Sequence, residues 1–319
     1  MTQPRTATLA TPEHTRTHLP TLAAIGFTVL AWSSAFVFIR WVGHSYTAGP
    51  LAFGRLLVGS LALGAGLLVR RRWVTPNRPE WALLLLCGVT WFGIYNVALN
   101  EAERHVDAGT AAMLVNLGPI LIALFAGLLL REGFPRWLLI GAGIAFLGVL
   151  LIGVPTARHG DADVLGVVLC LVAAVTYAIG VLSQKATLRR LPPLQVTWMA
   201  ATIGLLSCLP YAPTFLDQVR HSSGRGTAGL VYLGLVPTAL AFGTWAYALS
   251  RTNAGRLGVT TYLVPPLAVL GGWIVLGEAP AALALVGGAV CLVGVGLSRR
   301  QDPRPAPPSP QDQPPPVTV

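Results

Sequence analysis

Aromatic and amide side chains recur inside long apolar segments of this 319-residue chain. One segment carries Trp91, Tyr95 and Asn96, and another carries Asn116 three residues before Pro119. Aromatic walls with a few amide and hydroxyl groups are the usual chemistry of small-molecule pockets. A buried amide in hydrocarbon needs a partner, on a neighbouring helix or on a ligand. We therefore expect these side chains to meet a small molecule or one another.

A second set of such residues lies in the last third of the chain. Trp245 stands at helical spacing from Phe242, and Thr261 and Tyr262 come four and three residues before Pro265. For each aromatic residue the alternative to a pocket is a lipid-facing or interfacial anchor, because Trp and Tyr are enriched at membrane surfaces. The prolines predict helix breaks that line a cavity, or simple packing kinks.

Three charged residues accompany these segments. Arg55 lies about seven residues into its segment, where an arginine costs roughly 2.5–3.5 kcal/mol at the bilayer centre. Its alternatives are a structural or gating role, contact with the substrate, or snorkelling to the surface. Glu132 and Glu278 close two segments, and for them we expect fold stabilisation or a gate latch in preference to a proton relay.

Several functional classes lack the residues they require. The only lysine, Lys185, follows Gln184, so no phosphate-binding Gly-Lys sequence of an ATPase is present. The six histidines fall in tails and loops, and neither G-x-S-x-G nor H-E-x-x-H occurs. The four cysteines are far apart in sequence without a C-x-x-C pair, which argues against a metal site or a disulfide. We expect no cofactor and no enzyme activity, whereas a channel remains an alternative.

Composition indicates which elements position these residues. Charged residues are 11% of the chain and hydrophobic residues 54%, against roughly 25% charged residues in soluble domains. Since a span needs about 20 apolar residues, the sequence predicts an all-α polytopic membrane protein. Ten spans are expected, at 21–41, 48–69, 80–100, 108–130, 136–154, 163–184, 194–213, 228–250, 256–276 and 280–298.

Basic residues are distributed unevenly between the two sides of this arrangement. With the termini inside, inner segments hold 16 of the 22 basic residues and outer segments hold five. The positive-inside rule then places both termini in the cytoplasm of a plasma-membrane protein. The net charge of +10 is scattered over inner loops, so it indicates lipid-headgroup contact and not nucleic-acid binding. The tails at 1–20 and 299–319, the latter rich in proline, are expected to be disordered.

The chain also repeats itself. An ungapped offset of 146 residues places Pro119 on Pro265 and Glu132 on Glu278, and an offset of 145 places Trp32 on Tyr177. Five spans per half is an odd number, so the halves at 21–154 and 162–298 would enter the membrane in opposite directions. Inverted repeats with substrate at their interface are typical of secondary transporters.

These features together resemble the EamA-type members of the drug/metabolite transporter superfamily. The resemblance is carried by Trp32-Ser33-Ser34, by Arg55, and by the Ala-Gly starts and internal prolines of spans four and nine. It implies two inverted five-helix repeats around a central cavity, lined mainly by spans one, three, four, six, eight and nine. Span seven departs from it, since no arginine stands at the position related to Arg55.

The resemblance also implies a function. It implies a secondary transporter that exports small metabolites, such as amino acids, related amphipathic compounds or drugs, by alternating access. The alternatives are a channel or facilitator for a small solute and, last, an intramembrane enzyme. Oligomeric state is left open. The expected cavity residues are Trp32, Ser33, Arg55, Trp91, Tyr95, Asn96, Asn116, Pro119, Tyr177, Trp245, Thr261, Tyr262 and Pro265, with Glu132 and Glu278 as gating or structural residues.

Overall fold

A computed structural model describes residues 19–130, 136–157, 161–252, 254–278, 281–297 and 300. The described part of the chain is mostly helical and contains no strand. The predicted tails fall outside the described residues except for residues 19, 20 and 300. Residues 19 and 20 belong to the first helix, which begins at Leu19 and so starts two residues earlier than the predicted span. Glu132 also lies outside them.

Fifteen α-helices are joined by short turns and by π- and 3₁₀-helical segments within the described part of the chain. Their bounds are α1 Leu19–Val42, α2 Ala48–Arg70, α3 Arg78–Cys87, α4 Tyr95–Ala102, α5 Ala108–Val115, α6 Gly118–Leu130, α7 Arg136–Ala157, α8 Asp161–Thr187, α9 Pro193–Ser207, α10 Ala212–His221, α11 Gly224–Leu233, α12 Ala241–Arg251, α13 Ala254–Thr260, α14 Val264–Gly271 and α15 Ala282–Leu297.

Five helical stretches are long and apolar enough to cross a membrane. Further apolar helices are shorter, and α9 with the stretch that follows it forms one span only if its 54° bend is accepted. The protein is therefore a multi-pass membrane protein. The five stretches are Leu19–Val42, Ala48–Arg70, Arg78–Ala102, Val164–Thr187 and Gly224–Arg251.

The predicted spans 194–213 and 228–250 leave residues 214–227 as a loop. This prediction is wrong, because most of these residues are helical. Helix α10 occupies its first part and α11 begins at Gly224. Phe215 of α10 is buried against Phe53, with ring centroids 5.3 Å apart, while Asp217 and Arg220 on the same helix lie outside the core. A hydropathy window detects spans and misses a short amphipathic helix of this kind, whose average polarity is that of a loop.

Four of the ten predicted spans are interrupted by segments that are not α-helical, in two related pairs. The third and eighth contain π-helical segments at Gly88–Ile94 and Gly234–Leu240, which stand 146 residues apart. The fourth is broken between Val115 and Gly118, the residue before Pro119, and the ninth is broken by a 3₁₀ turn at Thr261–Leu263, which ends two residues before Pro265. A proline cannot donate to the preceding turn, so both breaks occur at the predicted positions.

Helices α7 and α15 pack with their backbones in contact at two glycines. A Cβ atom added at Gly148 would lie 2.6 Å from the backbone nitrogen of Cys291, and one added at Gly294 would lie 2.5 Å from that of Ala145. Gly148 and Gly294 are 146 residues apart, and so are Ala145 and Cys291. The two contacts are thus reciprocal, as they are when a two-fold axis relates two copies of one element.

Candidate substrate cavity

A buried cavity lies between α1, α2, α4, α5, α8, α12 and α14. The space in it that water can enter is about 60 Å³, and one water needs at least about 10–15 Å³. The cavity therefore holds a few waters in this conformation, and a metabolite would require the helices to separate. Seven of the thirteen predicted cavity residues line it, namely Trp32, Arg55, Trp91, Tyr95, Asn116, Tyr177 and Thr261.

Most of the cavity wall is aromatic. The ring centroid of Phe242 lies 5.3 Å from that of Trp32 and 4.9 Å from that of Trp91, both nearly edge to face. Tyr177 lies 5.4 Å from Trp91. Aromatic rings favour such offset and edge-to-face arrangements. Each ring is therefore held by its neighbours, which gives a wall that presents fixed apolar faces.

The polar part of the wall comes from the two broken spans. Thr261 Oγ1 donates to Asn116 Oδ1 over 3.3 Å, so the breaks of the fourth and ninth spans meet. Asn116 Nδ2 is buried and finds no acceptor among the described residues, and the same is true of Trp32 Nε1. A buried donor without an acceptor is costly, so these two N–H groups are places where a ligand acceptor would be favoured.

Arg55 adds a positive charge to the same cavity. Only 4% of its surface is exposed, which excludes snorkelling. Its Nε donates to Thr238 Oγ1 over 3.1 Å, and that hydroxyl donates to the backbone carbonyl of Leu233 over 2.8 Å. Residue 238 belongs to the second π-helical segment, and π-bulges free carbonyls and are frequent at functional sites. This segment fixes the arginine in the wall.

Three predicted residues lie behind the wall and not on it. Ser33 Oγ donates to Val29 O over 2.7 Å, and Asn96 Nδ2 donates to Phe92 O over 2.8 Å, so both satisfy carbonyls of their own helices. Trp245 is buried, and its ring centroid lies 4.9 Å from that of Trp32. It supports the cavity wall from outside.

The remaining three predicted residues shape the broken spans. Pro119 and Pro265 are buried without lining the cavity. Tyr262 packs against Ile120 and Ala145, on the side of the 3₁₀ turn away from Thr261. A 3₁₀ turn has three residues per 360° and so places consecutive residues about 120° apart. Of the pair 261 and 262, Thr261 faces the cavity and Tyr262 does not.

Some cavity residues were absent from the prediction. Phe36 and Ile39 line the cavity, four and seven residues after Trp32, which is the spacing of one helix face. That spacing would have found them once Trp32 was chosen. Phe242, named with Trp245 in the sequence but not among the thirteen expected cavity residues, lines the cavity, whereas Trp245 does not.

A charged cluster stands beyond one end of the cavity; we name it the Arg40 end. Arg40 Nε donates to the Glu278 carboxylate over 2.9 Å, and another guanidinium nitrogen of Arg40 donates to the backbone carbonyl of Glu103. The ion pair joins the first half of the chain to the second. The gating or structural role of Glu278 stays a prediction, and Glu103 was not singled out in the sequence, where it is one acid among several.

A related arrangement lies at the C-terminal end of α8; we name it the Lys185 end. Lys185 Nζ donates to the backbone carbonyls of Leu249, over 2.7 Å, and Thr252, over 3.0 Å. The Arg40 end lies beside the start of α8, because a Cβ added at Gly166 would be 3.3 Å from the carbonyl oxygen of Ala102, the residue before Glu103. At 1.5 Å per residue the two ends are about 28 Å apart.

Comparison with known families places the chain among membrane transporters. Residues 20–154 and 164–300 each match the EamA-like transporter family. A solved crystal structure superposes with a TM-score of 0.62 over 88% of this chain and 97% of that one. Its sequence identity is 20%, so it bears on the fold alone.

Curated relatives carry names that describe export. The chain is 36% identical to the "Probable terminal-alkyne amino-acid exporter" of Streptantibioticus cattleyicolor, over 87% of this chain and 93% of the relative. It is 33% identical to the "Uncharacterized transporter YdfC" of Bacillus subtilis, with 83% and 86% covered. It is 25% identical to the "Probable amino-acid metabolite efflux pump" of Salmonella typhimurium, with 85% and 91% covered.

Proposed function

The chain belongs to the EamA-like transporter family, and on that premise we propose that it exports amino acids or related amphipathic carboxylates by alternating access through the central cavity. It is a secondary transporter, and the chemistry it performs is binding and release, with no covalent step. The two halves are inverted five-helix repeats of a ten-span fold.

The observation that carries the substrate class is the polarity of the cavity. Its wall offers the Arg55 guanidinium and the free N–H groups of Asn116 and Trp32. No Asp or Glu stands among the described residues that line it. A carboxylate accepts hydrogen bonds from all such donors and is attracted by the charge, while the aromatic wall suits an apolar side chain.

The names of relatives agree with this class of substrate. The relatives named for a terminal-alkyne amino acid and for amino-acid metabolites both cover more than four-fifths of this chain. An α-amino acid with an apolar side chain has the carboxylate and the apolar body that the cavity would accept. We therefore take such amino acids as the first substrates to test.

Alternating access is supported by the paired features of the two halves. The π-helical segments, the broken spans that meet at Asn116 and Thr261, and the reciprocal contacts of α7 and α15 each relate the halves by about 146 residues. Rocking of one repeat against the other around a site at their interface is the usual mechanism of such transporters. The excess of basic residues in the segments assigned to the inside supports cytoplasmic termini.

The proposed function is tested with purified protein in proteoliposomes. The probe is propargylglycine, a terminal-alkyne amino acid whose alkyne is coupled afterwards to an azide fluorophore. We expect saturable transport and counter-exchange, which a channel does not show. The matched probe is propargylglycine amide, which lacks the carboxylate, and we expect it to be transported poorly. Equal transport of both probes, or linear uptake without exchange, contradicts the proposal.

Asn116→Ala tests the cavity within the same assay. We expect transport to fall about tenfold, since a hydrogen bond to a charged group contributes about 1.5–3 kcal/mol. The fold should persist, because Thr261 Oγ1 keeps its bond to Gly258 O. The control is Asn96→Ala, which removes a buried amide that bonds only its own helix.

Substrate-induced stabilisation in detergent separates binding from folding. The Asn116→Ala protein should lose the rise in unfolding temperature that propargylglycine gives the wild type, while Asn96→Ala should retain it. If Asn116→Ala transports normally and is stabilised by the probe like the wild type, Asn116 does not belong to the site.

A further inference from the structure

Glu103 follows the last residue of the third span and is enclosed by the protein. Its exposed fraction is 1%, and neither carboxyl oxygen has a hydrogen-bond partner within the described residues. An ionised carboxylate without a donor is far more costly to bury than a protonated one. The side chain is therefore suited to hold a proton in this conformation.

The charged and titratable groups that face Glu103 come from every element packed around it. On the cavity side, Leu99 lines the wall one helical turn before Glu103, so the carboxyl stands just beyond the cavity. Burial raises the pKa of the Glu103 carboxyl well above its ordinary value, and the nearby arginines oppose this only in part. The facing groups are Arg40, Arg55, Asp107, Glu278, Tyr95 and Cys170.

The related position in the second half shows that the fold does not require this acid. At the Arg40 end a cation bonds the backbone carbonyl of Glu103, and at the Lys185 end a cation bonds the backbone carbonyl of Leu249. The two carbonyls are 146 residues apart. Leu249 is fully buried, so the backbone contact is common to both copies and the carboxyl group is present in one only.

We propose that Glu103 is a proton-binding site that is occupied while the cavity is closed at both ends, as in this structure, and that couples export to proton entry. The proposal rests on the proposed function, because coupling has meaning only in a transporter. With the termini in the cytoplasm, as proposed, the Arg40 end lies at the outer face, because Arg40 is near the end of the first helix that is far from the N-terminus. Water at that face supplies the proton. The proton forms an O–H bond on the carboxylate as that end closes, and it leaves to the cavity water when the cavity opens inward.

The contacts of Arg40 explain how protonation and closure are linked. Ionised Glu103 competes with Glu278 for the Arg40 guanidinium and so weakens the ion pair that holds the Arg40 end shut. Protonated Glu103 carries no charge and therefore does not compete with Glu278 for Arg40. Because the pKa of this carboxyl is raised in the closed form, protonation favours closure fully below the ordinary pKa of a glutamate, and this contribution is lost as the pH rises from there through the raised pKa.

Infrared spectroscopy of the purified protein tests proton binding without any substrate. A protonated carboxyl whose carbonyl accepts no hydrogen bond absorbs at the high-frequency end of the carboxylic C=O range. We expect this band at neutral pH and its loss as the pH is raised. Glu103→Gln should lack it, and Glu101→Gln, in the same turn but partly exposed and paired with Arg104, should keep it. Absence of the band from the wild type, or its survival in Glu103→Gln, overturns the proposal.

Proton flux tests the coupling in proteoliposomes that contain a pH-sensitive dye. Propargylglycine export should drive proton movement in the opposite direction in the wild type and in Glu101→Gln. In Glu103→Gln the coupled flux should fall to background. Glu103→Leu, which copies Leu249, is the second variant should the glutamine protein fold poorly. Probe transport without proton movement in the wild type, or coupled flux that persists in the variants, overturns the coupling.

Failure of the proposed function has a different signature. If the wild type moves no probe, the substrate class is wrong, and the infrared band alone decides whether Glu103 binds a proton.

Discussion

Arg55 in α2 and Ala201 in α9 stand 146 residues apart and are both buried, with exposed fractions of 4% and 0%. The same offset relates Glu103 to Leu249, which are equally buried. At each pair, the first half carries a charged side chain and the second half an apolar one. Since a small or apolar residue satisfies the packing in one copy, packing alone does not demand the charges in the other.

This difference separates scaffold from function. The shared features are backbone features, such as the π-helical segments, the breaks before proline, and the cation-to-carbonyl bonds at both ends. The unshared features are the arginine in the cavity and the acid beyond it. We infer that the duplicated scaffold supplies the moving parts and that the first half supplies the polarity that selects the substrate.

Arg55→Ala, which makes the first half like the second, should have the largest effect. Transport of propargylglycine should fall between about 10- and 150-fold, because a charged hydrogen bond contributes about 1.5–3 kcal/mol and each 1.4 kcal/mol is tenfold. The protein should remain folded by size-exclusion chromatography. Thr238→Val keeps the arginine but removes its acceptor, and we expect a smaller loss. Unchanged transport in Arg55→Ala would mean that the cavity charge takes no part in binding.

The glycine contacts test whether the halves are related by a two-fold axis. Gly148→Ala and Gly294→Ala each place a Cβ within about 2.6 Å of backbone, which cannot move aside as a side chain can. Overpacking costs about 1–3 kcal/mol, and the two variants should lower the unfolding temperature in detergent by similar amounts.

Controls for these glycines stand on the same two helices. A Cβ added at Gly143 or at Gly296 meets nothing within 4 Å, so alanine there should leave the unfolding temperature unchanged or slightly raised. Strongly unequal losses at Gly148 and Gly294 would contradict a reciprocal contact between α7 and α15.

The sequence alone predicted the membrane class, the helix breaks and about half of the residues that line the cavity, while the inverted repeat stays a prediction. These features depend on apolar length, on proline and on helical spacing, which are local properties that a sequence displays. Thr261 and Tyr262 were both expected in the cavity, and only Thr261 reaches it, because the 3₁₀ turn that directs Thr261 toward Asn116 has no signal of its own in the sequence.

Other features depended on contacts between distant segments. Helix α10 was taken for a loop because its apolar face becomes visible only when Phe215 meets Phe53. Glu103 could not be distinguished from the neighbouring Glu101 by spacing, yet Glu103 is only 1% exposed, whereas Glu101 is partly exposed and pairs with Arg104 and His105. Burial of a single acid at a helix end is decided by its neighbours.

The smallest expected effect concerns how the two ends are held. The Arg40–Glu278 pair is partly exposed, at 27% and 31% of its side-chain surfaces, and such pairs are worth about 0–1 kcal/mol and are screened by salt. The Lys185 ammonium instead bonds two carbonyls. Glu278→Gln should therefore lower the unfolding temperature only slightly at low salt and not at all at high salt. Lys185→Met should lower it more, and equally at both salt concentrations, since a carbonyl dipole carries no net charge to screen.

If Glu278→Gln proves the more damaging change, or if its effect persists at high salt, the ion pair is a structural tie and the Arg40 end is not held by a weak, releasable contact.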